Sequence, residues 1–170
     1  RRERWEIVLT GDLMDMGVLA GTKHVSAVYE QEYTPEMAMD EAVKLLKPVR
    51  KQILGAVSGN HERRVEAVTS INPMKVVMDR LDRPYWDIER PFQWERATVY
   101  VHHGATSSPV RDFMRVQLEW EGVDVIALGH THHVSVDFAQ RSLAGPYGQV
   151  QRRRVMHVRC GTFLGRARYA

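Results

Sequence analysis

The chain has 170 residues, with 24 Lys and Arg against 21 Asp and Glu, for a formal net charge of +3. Its hydrophobic share of 44% and charged share of 26% are ordinary for a soluble globular protein and exclude a low-complexity or strongly charged disordered chain. This length favours a single domain over residues 1–170. The small positive excess permits a polyanionic partner but does not indicate one by itself.

The cysteine content and the hydropathy pattern bear on the compartment. Cys160 is the only cysteine, so an intrachain disulfide framework is excluded, which fits a reducing compartment. No apolar stretch approaches the ~18 residues that a membrane-spanning helix needs. We therefore expect a cytoplasmic protein with no membrane partner.

The first predicted elements form a strand, a loop, a helix and a second strand. An apolar run over residues 6–9 predicts a buried strand, and residues 13–33 have the irregular pattern of a loop. Thr34 and Pro35 then supply an N-cap hydroxyl and a proline at the first helical position. The next apolar run, residues 53–57, completes a βαβ unit. The helix carries an apolar stripe of Ala38, Ala42, Leu45, Leu46, Val49 and Ile53.

The rest of the chain, from His61 onward, predicts three helices, two strands and a hairpin. A short helix follows His61, another spans residues 73–81, and residues 83–95 form a turn-rich connector. Strands are expected over residues 98–101 and 123–128, and alternation from Val134 to Arg159 around a Gly-Pro-Tyr-Gly turn predicts an antiparallel hairpin. The helix that begins at Ser108 and Pro109 has four residues predicted to face inward, namely Val110, Phe113, Met114 and Leu118.

Polar side chains follow four of the apolar runs. Each of four motifs stands where a strand is predicted to end: Gly11-Asp12, Gly59-Asn60-His61-Glu62, His102-His103-Gly104 and Gly129-His130-Thr131-His132. Ligands of open α/β sheets bind outside the carboxyl ends of the strands, so we expect these motifs to converge. Asp, Asn and His together form an oxygen and nitrogen ligand set suited to Mn, Fe or Zn. The pattern predicts a metal site of a hydrolytic enzyme.

In this order the four motifs resemble those of the calcineurin-like metallophosphoesterases. The resemblance implies an α/β fold in which a mixed β-sandwich is flanked by helices in four αββα layers. One family motif, an Asp-x-His on the first strand, is absent, since only a few residues precede Gly11. Two explanations stay open: an N-terminally truncated view of a longer protein, which we favour, or a site that has lost two ligands.

The resemblance implies two divalent metal ions, with Mn first and Fe or Zn as alternatives. Asp12 would bridge both ions, and His132 would bind the first. His102 and His103 point to opposite faces if both lie on a strand, and we favour His103, since the family's His commonly precedes Gly directly. The ligands implied for the second ion are Asn60, His103 and His130.

The family's motifs also imply roles in catalysis and substrate binding. His61 would protonate the leaving oxygen, a task that suits an imidazole. Asp15 matches the second Asp of a Gly-Asp-x-x-Asp motif and would accept a hydrogen bond from His61, although an acid in the first turn of a helix explains it equally well. Arg63 and Arg64 would bind the substrate phosphate, or form a solvated helix face.

The resulting hypothesis is a metal-dependent phosphodiesterase or phosphatase in which a metal-activated water attacks the ester. Because basic residues outnumber acidic ones in the chain, a nucleic acid or nucleotide is the substrate that we expect first. The alternative is a non-catalytic module that keeps the fold for binding or assembly. The run Arg152-Arg153-Arg154 is interpreted as a charged strand edge that discourages sheet pairing, in preference to a nucleic-acid contact.

Overall fold

The computed structural model describes residues 5–16 and 33–161. Within these residues, no helix is both long enough and apolar enough to cross a membrane. The chain divides into two compact units, residues 1–89 and residues 90–170. Most of the loop predicted over residues 13–33 lies outside the described residues, so it stays a prediction.

Among its described residues, the first unit contains a parallel pair of strands and three α-helices. Strand β1 (Ile7–Leu9) pairs in parallel with β2 (Ile53–Ala56), as the βαβ prediction requires. Between them come α1 (Pro35–Leu46) and a 3-10 helix (Lys47–Gln52). After β2 follow α2 (Asn60–Thr69) and α3 (Pro73–Leu81).

The starts of α1 and α3 follow from capping chemistry. Thr34 Oγ1 accepts the Met37 N–H at 3.2 Å, and Asn72 Oδ1 accepts the Lys75 N–H at 3.1 Å. Each cap is followed by a proline, whose fixed φ suits the first helical position. The predicted bounds of α3 are therefore confirmed.

The apolar stripe predicted for α1 was wrong at two positions. Leu45 is 67% exposed, and Ile53 lies in β2 because the helix ends at Leu46. Ala42 is the buried residue of the helix, and its partly buried apolar neighbours are Ala38, Met39, Val43 and Leu46. They pack on a core of Met14, Met16, Ile53, Ala56, Val65, Met74, Val77, Met78 and Leu81.

The second unit is built on a mixed five-stranded sheet in the order β3-β4-β5-β7-β6. Strands β4 (Ala97–His102), β5 (Val125–Leu128) and β7 (Val150–Arg159) run parallel, and β6 (Ser135–Ala144) pairs antiparallel with β7. The α/β class with a mixed sheet and the C-terminal hairpin are thus confirmed. The stacking of the layers stays a prediction.

Two sequence predictions in this unit were wrong. Strand β3 (Glu89–Trp94), which starts at the boundary of the units, occupies part of the predicted connector. Its proline and polar residues are tolerated because β3 lies at the end of the described strand order. In α4 (Pro109–Glu119) Phe113 and Val116 are buried, whereas Val110, Met114 and Leu118 are 67%, 58% and 80% exposed.

Candidate functional site

The first unit places two of the sequence motifs at one edge of its strand pair. Asp12 follows β1, and Asn60 opens α2 just after β2. Because the two strands are parallel neighbours, their carboxyl ends meet at the same edge. His61 donates its backbone N–H to Asp12 Oδ1 at 2.9 Å, which joins the two motifs directly.

A carboxylate that sequence reasoning missed holds this arrangement together. Glu62 is fully buried, and its Oε2 accepts the N–H groups of Asp12 at 3.0 Å and Gly59 at 2.9 Å. Its Oε1 accepts the N–H groups of Leu13 at 2.8 Å and Met14 at 3.3 Å. Asp12 has φ 51°, so the turn after β1 is a left-handed backbone that these bonds stabilise. One side chain thus fixes both motif loops.

Burial and the neighbouring charge act against ionisation of this carboxyl. Burial raises the pKa of Glu62, the negative charge of Asp12 raises it further, and the backbone N–H donors oppose both. A Cβ at Gly59 would collide with Asp12 Oδ1, so only glycine admits the Asp12 side chain there. The two motifs therefore depend on each other sterically as well as through hydrogen bonds.

His61 and Asp15 form the contact that the sequence predicted. His61 Nδ1 lies 2.6 Å from Asp15 Oδ1, and its Nε2 lies 3.8 Å from Asp12 Oδ2. The hydrogen bond with His61 lowers the pKa of Asp15, partly offset by burial, and the positive charges of His61 and Arg64 add to the lowering. The imidazole is thereby held by one nitrogen between two carboxylates. Its proposed role in catalysis is not tested by this geometry.

The second unit gathers histidines at the ends of β4 and β5. His103 is buried, and its ring meets the His130 ring edge-on with centroids 5.1 Å apart. His102 is also buried, and its Nδ1 accepts the Gly104 N–H at 2.7 Å, which places a neutral ring's proton on Nε2. His130 and His132 have φ 67° and 56°, so the Gly-His-x-His segment turns sharply after β5.

A second buried carboxylate organises the loop that follows His103. Asp112, in the first turn of α4, is 3% exposed and accepts the N–H groups of Ala105 and Thr106, each at 3.1 Å. These bonds hold the loop that leaves β4 through Gly104, whose φ is +104°. Sequence reasoning did not identify Asp112, because its partners are backbone groups of an irregular loop.

The remaining sequence candidates have varied surroundings. Arg63 is exposed on α2, whereas Arg64 is partly buried. His157, which lies outside the four motifs, stacks on Phe113 with ring centroids 4.2 Å apart, and burial lowers the pKa of His157. Both features fit a packing role.

Comparisons with known proteins find similar solved structures. No family model matches the chain, and no curated protein matches it. A solved archaeal phosphodiesterase is similar to it at 15% sequence identity and a TM-score of 0.44. The similarity covers 71% of this chain and 59% of that one, so the chain spans less than two thirds of the solved protein's length.

Glu62→Gln is expected to lower the free energy of unfolding by about 3 kcal/mol, since an unpaired buried donor costs roughly 1–3 kcal/mol. Whichever way the amide turns, its NH2 group faces two of the four backbone N–H groups that the carboxylate accepts. Urea unfolding measures the change. Glu36→Gln, at an exposed first-turn position of α1, is the control and should cost less than about 1 kcal/mol. Equal losses in the two variants would contradict the role given to Glu62.

Asp15→Asn is expected to destabilise the protein at neutral pH but not in acid. The pKa of Asp15 is lowered in the folded state from its ordinary 3.8. Its stabilising contribution is therefore fully present above pH 3.8 and is lost as the pH falls through the lower folded value. Urea unfolding of both proteins across this range measures the difference. A difference that stays constant into acid would show that the ionised carboxylate contributes nothing.

Proposed function

We propose that this protein hydrolyses a phosphate ester with the help of two divalent metal ions. The observation that carries the proposal is the hydrogen-bonded group of Asp12, His61 and Asp15, which Glu62 fixes at the carboxyl ends of two parallel strands. A carboxylate can bind a metal ion and a neighbouring imidazole can act as a general acid, and both groups assist phosphoryl transfer to water. A nucleic acid or nucleotide is the substrate class that we infer first, from the basic balance of the chain.

The proposed ligands are one carboxylate, one amide and three imidazoles: Asp12, Asn60, His103, His130 and His132. Asp12, His103 and His130 offer a carboxylate oxygen and ring nitrogens as donor atoms. Such oxygen and nitrogen donors suit Mn, Fe or Zn, and we propose Mn first with Fe or Zn as alternatives. When bound, the ions would lower the pKa of a water and withdraw charge from the phosphate oxygens.

His61 is proposed as the general acid. Asp15 holds Nδ1 at 2.6 Å, which fixes the ring orientation and leaves Nε2 to deliver a proton to the leaving oxygen. Arg63 and Arg64 follow it on α2 and are proposed to bind the substrate phosphate, for which the guanidinium fork is suited. A binding module without catalysis would have no use for the oriented imidazole, which is why the enzyme is preferred.

Asp12→Asn is expected to reduce turnover at least about 100-fold, because it removes a charged ligand worth several kcal/mol in the transition state. The measurement is Mn²⁺-dependent hydrolysis of bis(p-nitrophenyl) phosphate and p-nitrophenyl phosphate. Asp40→Asn, whose carboxylate pairs with Arg80 on the surface, is the matched control. Retained turnover in Asp12→Asn would refute the proposal, and a folded, metal-loaded but inactive wild type would favour the non-catalytic module.

His61→Ala is expected to affect esters according to their leaving groups. An alkoxide leaving group needs a proton, so its ester should lose about 10²–10⁴-fold in kcat, whereas a p-nitrophenyl ester should lose much less. The comparison of an alkyl and a p-nitrophenyl phosphate measures this. His133→Ala, at an exposed position, is the control. Equal losses for both esters would show that His61 does not act as the acid.

A further inference from the structure

The C-terminal hairpin extends beyond the rest of its sheet. Strands β6 and β7 pair over ten residues each, from Ser135↔Arg159 to Ala144↔Val150. Strand β5, however, pairs only with residues 156–159 of β7. The segment of residues 140–154 is called the basic ribbon from here on. Among the described residues, its two strands pair only with each other.

The basic ribbon concentrates positive charge. Its arginines are Arg141, Arg152, Arg153 and Arg154, and its sequence contains no Asp or Glu. These four positive charges, which no acidic residue within the segment offsets, exceed the formal net charge of the whole chain, which is +3. The electrostatic potential of the protein is thus concentrated locally rather than spread evenly.

Two of the four arginines bind groups of their own unit, and the other two form no ion pair with a described carboxylate. Arg153 binds Asp124 Oδ1 through Nε at 3.2 Å and Nη2 at 2.8 Å, and its cross-strand partner Arg141 donates to the Trp120 carbonyl at 3.2 Å. Because side chains alternate along a strand, Arg152 and Arg154 point to the opposite face. Both are exposed, and no described carboxylate forms an ion pair with either.

Flat, exposed groups accompany these two charges. The Arg154 guanidinium lies 4.3 Å from the centroid of the Phe138 ring, which keeps the planar group over the ring by a cation–π contact. Tyr147, at the turn of the ribbon, is 89% exposed. Guanidinium planes and aromatic rings are both surfaces on which unpaired nucleobases stack.

We propose that the basic ribbon is a binding site for single-stranded nucleic acid. Arg152 and Arg154 bind successive phosphates, and bases stack on Tyr147 and on the guanidinium plane of Arg154. A duplex hides the faces of its bases, so the exposed stacking groups favour a single strand. The proposal concerns binding alone and does not depend on the hydrolytic activity proposed above.

The test is the fluorescence anisotropy of a labelled oligothymidylate, titrated with protein in EDTA at several salt concentrations. The variant Arg152→Gln/Arg154→Gln should bind at least about tenfold more weakly at 50 mM salt. The plot of the logarithm of the binding constant against the logarithm of the salt concentration should also become less steep by about 1.4, because each phosphate contact on a single strand contributes roughly 0.7 to its steepness. Tyr147→Ala should weaken binding with little change in that slope, since it removes stacking but no charge.

The control is Arg96→Gln/Arg111→Gln, which removes the same charge from exposed positions outside the ribbon. Equal weakening in control and ribbon variants would overturn the proposal, since affinity would then follow net charge alone. Equal or tighter binding of duplex DNA would overturn the choice of a single strand. Binding of phosphatidylserine vesicles without binding of the oligonucleotide would also overturn it, in favour of a membrane surface.

Discussion

The first unit depends on one buried carboxylate with four backbone donors. The turn after β1 leaves the N–H groups of Asp12, Leu13 and Met14 without helix or sheet partners, and Glu62 accepts all three together with that of Gly59. A buried backbone donor that is left unpaired costs roughly 1–3 kcal/mol, and this turn is partly to fully buried. The same bonds that satisfy the turn also fix Asp12 and orient the start of α2, so stability and site geometry have a common cause.

The second unit uses the same device with different residues. Asp112 stands in the first turn of the helix after β4, as Glu62 stands in the first turn of the helix after β2. Each carboxylate accepts N–H groups from a loop at the end of a strand, and each gains from the positive end of its helix dipole. The loop that carries Asp12 and the loop that follows His103 are thus each held by a buried acid.

How much the sequence predicted depended on whether the signal was local. The start of α3 at Asn72 and Pro73 and the contact of Asp15 with His61 both follow from short-range rules or motifs, and the structure has both. The predicted inward faces of α1 and α4 were partly wrong, because the sequence does not show whether an apolar side chain such as Leu45 or Leu118 packs on the core or is exposed. Strand β3 was missed because Pro91 argues against a strand unless its place in the sheet is known.

The role of Glu62 shows where prediction could have gone further. An acid at the third position of a helix is half of a capping box, and that rule alone would have linked Glu62 to the Gly59 N–H. It would not have shown the bonds to Leu13 and Met14, which come from a segment about fifty residues earlier in the chain. Only the parallel pairing of β1 with β2 brings those donors to Glu62. A motif can therefore indicate the chemistry of a site, whereas the interaction that holds the site together can be identified only once the fold is known.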